Sequence, residues 1–173
     1  FIFVDRLHVP PASVGVYLAL LVSGLWLGSL LASQLIARFS LARFVVVANA
    51  VSVVAAASLL ALLIADRATL VGIIGTMFVF SVGVGAAAPG TLVKAISVNP
   101  RVTGTASGLY GSIQMAVGAA LVALAGFGAN PAFASAAVLL AAGVVAQASF
   151  WMARNGSAPL VRAEPEATSE AAT

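Results

Sequence analysis

Five apolar runs, each more than twenty residues long, follow one another along the chain and leave little room for other structure. They extend over Ser13 to about Ala37, Leu41 to Ala65, Thr69 to about Val93, about Val102 to Phe127, and Ala132 to about Ala153. An α-helix rises about 1.5 Å per residue, and the hydrocarbon core of a bilayer is about 30 Å thick. Each run therefore predicts a complete transmembrane helix, and the fold class is an all-α membrane protein.

The composition supports lipid as the main solvent. Only 8% of the residues are charged and 62% are hydrophobic, whereas soluble domains average about 25% charged residues. The net charge of +3 comes mostly from arginines at the ends of the apolar runs, which argues against a nucleic-acid binder. There is no cysteine and one histidine, His8, so the sequence predicts no disulfide, metal centre or cofactor.

Both ends of the sequence depart from the pattern of complete spans. Phe1 to Val4 is apolar and looks like the last turn of a sixth helix whose beginning is missing, and Asp5 to Pro11 is a polar break. From residue 154 onward the sequence is polar and contains too few apolar residues to fold. We therefore expect a transmembrane bundle over residues 1–153 and a disordered tail over residues 154–173.

Basic residues are divided unevenly between the two sides of this predicted bundle. Arg6 and Arg67 fall on one side. The alternate loops and the tail carry Arg38, Arg43, Lys94, Arg101, Arg154 and Arg162. Because cytoplasmic loops of membrane proteins are enriched in lysine and arginine, the count predicts a multi-pass protein of the cell membrane with a cytoplasmic C-terminus.

The third apolar run contains residues that are unfavourable inside a helix: Gly83, Gly85, Pro89 and Gly90. Proline removes a backbone donor and clashes with the preceding turn, which costs about 3 kcal/mol in an ordinary helix. In lipid, the carbonyl that loses its donor must be satisfied by a neighbouring helix or by water. We therefore expect a broken helix here, with this part facing protein or a cavity.

The fourth run separates into two stripes when its residues are placed about 100° apart around a helix. A glycine stripe contains Gly104, Gly108, Gly111 and Gly118, with Met115 among them. A polar stripe beside it contains Thr103, Ser107, Tyr110 and Gln114. Small residues allow close helix packing, and polar residues belong in a bundle interior or on a water-filled path. Two interpretations stay open for Tyr110 and Gln114: hydrogen bonds to a neighbouring helix, or the lining of a cavity.

Three further residues inside the spans have two interpretations each. Trp26 could form an aromatic wall of an apolar drug cavity, or it could face lipid or pack between helices. Ser81, close to the Gly83 and Gly85 positions, could line the same path or bond to its own helix. Asn49 is interpreted as a hydrogen-bonding contact between helices.

No set of catalytic residues is recognisable. Every carboxylate lies in a loop or in the tail, so no acid inside a span is available for acid–base catalysis or for carrying a proton. A phosphate-binding glycine loop with its lysine is also missing from the sequence. The sequence therefore predicts that the protein is not an enzyme.

From Pro89 to Gly118 the chain resembles the tenth and eleventh helices of major facilitator superfamily transporters, of the type that exports bicyclomycin or chloramphenicol. The shared features are a broken helix with Pro89, a turn ending in Pro100, and the run Gly104-Thr105-Ala106-Ser107 leading into a glycine-rich helix with Gln114. The opening FIFVDRLHVPPASVGVYLAL looks like the end of the seventh helix, an external loop and the start of the eighth. The loop with Arg38 and Arg43 keeps only the basic part of a family motif.

The resemblance, which covers about Phe1 to Ala153, implies the C-terminal half of a major facilitator fold, with its eighth to twelfth helices complete. Such transporters rock two six-helix halves around a site at the midplane. The implied function is efflux of small amphipathic drugs in exchange for protons, which confers antibiotic resistance. The implied partners are the lipid bilayer, the drug and protons, and an N-terminal half that carries the coupling acid. Two alternatives remain: a truncated fragment that transports nothing, or a small helical scaffold that pairs with a separate N-terminal half.

Overall fold

The chain folds into α-helices in the part that the structure, a computed structural model, describes: residues 11–36, 40–67, 69–96, 103–128 and 130–155. These helices are α1 (Pro11–Leu35), α2 (Leu41–Ile64), α3 (Leu70–Ile96), α4 (Thr103–Gly126) and α5 (Pro131–Asn155). All five are long and apolar enough to cross a membrane. The prediction of an all-α protein with five helices of membrane-spanning length and composition is therefore confirmed for the described residues.

Several helix ends differ from the expected ones by two or three residues, and α1 begins at Pro11 instead of Ser13. α3 continues to Ile96, three residues beyond the expected end at Val93, and α5 continues to Asn155, two residues into the expected tail. Residues 1–10, with His8 and the expected end of a sixth helix, lie outside the described residues, as do residues 156–173 of the tail.

α3 is the centre of the described bundle. It packs extensively against α1 and against α2, and α2 also packs against α5. Small residues dominate these contacts, because the buried positions include Ala48, Ser52, Ala55, Gly83 and Ala86. In a membrane, helices associate through van der Waals packing and hydrogen bonds, and small side chains bring the backbones close enough for both.

The turn between α2 and α3 ends the second helix with a defined backbone motif. Asp66 has φ of 51°, a left-handed conformation in which aspartate is one of the more tolerated non-glycine residues. The Asp66 N–H donates to Leu63 O at 3.3 Å, and the Arg67 N–H donates to Leu62 O at 3.1 Å. These two bonds form a Schellman motif, which satisfies carbonyls at the end of α2.

α4 is attached to the rest of the bundle along one edge only. It makes limited contacts with α3 and α5, and none of its residues is buried. Large apolar side chains on several sides of the helix, among them Leu109, Met115 and Val122, are more than half exposed. α4 is therefore the least buried of the described helices.

Candidate functional site

The expected break in α3 is wrong, because the helix continues without interruption through Pro89. Proline has no N–H, so the Gly85 carbonyl, four residues earlier, loses its usual donor. The Ser29 hydroxyl of α1 donates to this carbonyl at 3.1 Å instead. A side chain from a neighbouring helix thus satisfies the freed carbonyl, which is what lipid surroundings demand.

The hydrogen bond from Ser29 depends on a very close contact between α1 and α3. A Cβ added at Gly28 would lie 2.8 Å from the Ala86 nitrogen, and one added at Gly85 would lie 2.8 Å from the carbonyl carbon of Leu25. Real Cβ atoms do not approach backbone atoms so closely. Glycine at both positions therefore lets the two backbones meet and brings the Ser29 hydroxyl within reach of α3.

α2 approaches the opposite side of α3 in a similar way. Gly83 faces α2, where an added Cβ would lie 2.8 Å from Ala48 O, and Gly90 lies beside Val45. Ser52, only 2% exposed, donates from its hydroxyl to Phe80 O at 3.2 Å. The glycines that were expected to break α3 therefore allow α1 and α2 to pack closely against it.

A polar clamp of Asn49 and Gln147 joins α2 to α5, about a third of the way from the start of α2 and from the end of α5. The Asn49 side-chain amide donates to Gln147 Oε1 at 2.7 Å and to Gly143 O at 3.1 Å. The Gln147 amide donates in turn to Val46 O at 3.3 Å. Asn49 is thus a contact between helices, in agreement with the interpretation from the sequence.

Tyr110, one of the predicted path residues, connects α4 to α3. Its hydroxyl lies 2.9 Å from Thr91 Oγ1, and Thr91 Oγ1 donates to Ala88 O at 2.8 Å. Because the Thr91 proton is used in that second bond, the Tyr110 hydroxyl is the donor in the first. The bond fits the first of the two interpretations of Tyr110 and fixes the position of the polar stripe relative to α3.

The glycine stripe of α4 has no helix against it in the described part of the chain. A Cβ added at Gly104, Gly108, Gly111 or Gly118 would meet no atom within 4 Å. Gln114 is exposed, whereas Ala106, Tyr110, Gly111, Leu121 and Ala125 are partly buried. At about 100° per residue, the polar stripe overlaps this packed edge, which includes Tyr110 itself, and adjoins the glycine stripe.

Trp26 of α1 and Ser81 of α3 are not neighbours: Ser81 faces the side of α1 that contacts α3, and Trp26 lies on another side of α1. Ser81 is partly buried in the contact between α1 and α3, where its Cβ would lie 3.1 Å from a Cβ at Gly24. Trp26 is 66% exposed, and its position two residues from Gly24 turns it about 200° away from that contact. The described residues therefore do not bring the path residues Trp26 and Ser81 together with Tyr110 and Gln114 in one cavity.

An open groove of about 500 Å³ lies between α2 and α3. Its walls are almost entirely apolar and include Val47, Val51, Val54 and Val79, with Thr76 and Ser58 as the polar members. None of the path residues lines it. Thr76 and Ser58 donate to carbonyls of their own helices, so this groove offers little to orient a polar ligand.

The compensation of Pro89 by Ser29 predicts a coupled effect of two substitutions. Ser29→Ala should lower the free energy of unfolding by about 1 kcal/mol, within the range measured for interhelical hydrogen bonds in membranes. In the Pro89→Ala background, a backbone N–H again reaches Gly85 O, so Ser29→Ala should have little effect there. Ser33→Ala is the control, since Ser33 bonds only within its own helix, to Leu30 O. An equal cost of Ser29→Ala in both backgrounds would contradict the compensation.

Several residues of these contacts could not be singled out from the sequence. Ser29, Thr91 and Gln147 are ordinary polar members of apolar runs, and their partners lie far away in the chain. A proline inside a span does indicate that a donor is needed, but it does not identify which neighbouring hydroxyl supplies it. Among the described residues, no group of His, Cys, Asp or Glu is placed to hold a metal ion.

Comparison with known proteins does not assign the chain to a family: no family model, no curated protein and no solved structure matches it.

Proposed function

We propose that these helices form the C-terminal half of a major facilitator transporter that exports small amphipathic drugs in exchange for protons. The proposal is supported by the resemblance from Pro89 to Gly118 and by five apolar helices of spanning length. The observation that carries it is the arrangement of α4, whose polar stripe adjoins an open stripe of glycines.

The open glycine stripe is typical of a helix surface against which another helix packs. Glycine in a helix interior costs roughly 1 kcal/mol relative to alanine, and four of them are present on one face of α4 with nothing packed against them. Such a face is favourable when another helix approaches it closely. In our proposal, helices of the N-terminal half cover it.

The polar stripe would then lie at the boundary between the two halves. A partner helix on the glycine stripe would enclose Gln114 between itself and the packed edge of α4, away from lipid. Alternating access in such transporters takes place around a site at the interface of two repeats. We therefore place Gln114 and Tyr110 on the drug path; Trp26 and Ser81 would belong to it only through surfaces that the other half contributes.

The proton must be carried by residues elsewhere. Asp66, at the turn after α2, is the only carboxylate of the chain that lies between Asp5 and Glu164. A proton carrier in a membrane transporter is an ionisable side chain within the spans. In our proposal the N-terminal half supplies this acid, and the present chain by itself transports nothing.

Gln114→Ala tests the proposed drug path. In the intact transporter, the rate of drug efflux should fall about two- to tenfold, the equivalent of losing one hydrogen bond. Ser112→Ala is a matched control, because Ser112 is turned about 200° from Gln114 and bonds to Leu109 O of its own helix.

The amount of protein in the membrane is measured for both variants. Efflux that is unchanged in Gln114→Ala at equal protein level would remove Gln114 from the path. Equal losses in the two variants would indicate a general effect on α4 and not a contact with the drug.

A further inference from the structure

Three helix ends meet at a small pocket on one side of the bundle. Its lining residues are Ala42 and Val45 near the start of α2, Thr91 and Lys94 near the end of α3, and Phe150 and Ala153 near the end of α5. The pocket has a volume of about 180 Å³ and almost entirely apolar walls. We refer to it as the Lys94 pocket.

The pocket combines an apolar interior with one positive charge. Among its lining residues Val45 is buried, Phe150 is partly buried and Lys94 is exposed. The Thr91 hydroxyl bonds to Ala88 O and Tyr110, and the ammonium of Lys94 is the positive charge among the lining residues. An amphiphile with an acidic head and an apolar body matches this combination, whereas a free inorganic anion would leave the apolar walls without a partner.

The membrane leaflet that surrounds the pocket decides which acidic amphiphiles are available to bind in it. The start of α2 and the ends of α3 and α5 belong to the side that carries six of the eight basic residues. Under the positive-inside rule this is the cytoplasmic side, whose leaflet is rich in anionic lipids. Basic pockets between transmembrane helices on that side are known to bind acidic lipid head groups.

We propose that the Lys94 pocket binds one anionic phospholipid of the cytoplasmic leaflet. The lipid phosphate lies against the Lys94 ammonium, and the first part of an acyl chain occupies the space between Val45 and Phe150. The lipid would thereby contact α2, α3 and α5 together, beside the bond between Thr91 and Tyr110 that attaches α4. The proposal requires that the helices span a membrane with the basic side in the cytoplasm, and it does not depend on a transport function.

The test measures lipid retention by native mass spectrometry. The chain is reconstituted in bilayers that contain equal amounts of phosphatidylglycerol and phosphatidylcholine, and the lipids that remain bound after gentle release are counted. The unmodified chain should retain phosphatidylglycerol in preference to phosphatidylcholine. Lys94→Gln should reduce this preference about fivefold, the effect of one basic residue near a membrane surface, and Lys94→Arg should preserve it.

Two further variants distinguish lipid binding in the pocket from a general attraction of anionic lipid to basic residues. Arg67→Gln removes the same charge on the opposite side of the bundle, so it should leave the preference unchanged. Ala42→Leu keeps Lys94 but fills the apolar interior, so it should reduce retention of phosphatidylglycerol. Helix content is measured in every variant by circular dichroism.

The proposal would be overturned if Lys94→Gln retained phosphatidylglycerol like the unmodified chain, or if Arg67→Gln lost as much of the preference as Lys94→Gln. Retention unaffected by Ala42→Leu would equally contradict it, because the lipid would then be held by charge at the surface and not in the pocket.

Discussion

Gly85→Ala should strongly destabilise the bundle, as should Gly28→Ala on the other side of the same contact between α1 and α3. The added Cβ would overlap the Leu25 backbone, which cannot move away by changing a rotamer. The two helices must therefore separate, and the bond from Ser29 to Gly85 O is lost as they do so. Overpacking costs about 1–3 kcal/mol, so together with the lost hydrogen bond we expect a loss of about 3 kcal/mol.

Gly75→Ala is the matched control, because Gly75 lies on the same helix and an added Cβ meets nothing within 4 Å. This variant should be neutral or more stable by up to about 1 kcal/mol, since glycine weakens a helix. Both free energies of unfolding can be measured by titrating the chain in micelles with a denaturing detergent. Equal stability of the Gly85→Ala and Gly75→Ala variants would show that α1 and α3 are not in close contact.

The second large effect is expected from the polar clamp between α2 and α5. Asn49→Leu removes the partner of Gln147 Oε1, and the Gln147 amide is then left with only its bond to Val46 O. An unsatisfied buried polar group costs about 1–3 kcal/mol, and we expect a loss of about 2 kcal/mol here. Gln147→Leu should have a similar cost, because it leaves the Asn49 amide with Gly143 O alone.

The double variant Asn49→Leu, Gln147→Leu should lose less stability than the sum of the two single variants. Replacing both partners removes the unsatisfied groups along with the bond, so the two effects are not additive. Ser58→Ala is a control on the same helix, because Ser58 bonds to Val54 O of its own helix. Additive losses in the double variant would contradict a direct bond between Asn49 and Gln147.

The helices themselves could be predicted from the sequence, since length and apolar composition decide whether a segment spans a membrane. Their ends were less predictable, as the extension of α3 to Ile96 illustrates. The prediction that Pro89 breaks α3 was wrong because a neighbouring helix supplies the missing donor. The cost of a proline depends on whether another helix offers a donor, and Ser29 is 56 residues away from Gly85 in sequence.

For α4, the sequence predicts which residues share a face, and the structure adds which of these faces contacts another helix. The two stripes follow from residue spacing alone, and the bond from Tyr110 to Thr91 now orients the polar one relative to α3. What covers the glycine stripe could not be predicted, because spacing within one helix carries no information on the partner. None of the described helices covers it, and we propose that the other half of a transporter does.

The most direct test of this account is the reactivity of a cysteine introduced by Gln114→Cys. The present chain has no cysteine, so one can be placed in a transporter whose other half has also been freed of cysteine. Thiols react as thiolates, which form in water and not in lipid. A membrane-impermeant maleimide should modify the Gln114→Cys variant at least about tenfold faster than Ala116→Cys, turned about 200° away on the same helix. Equal, slow reaction at both positions would mean that the polar stripe of α4 lines no water-filled path, and the proposed role in transport would be wrong.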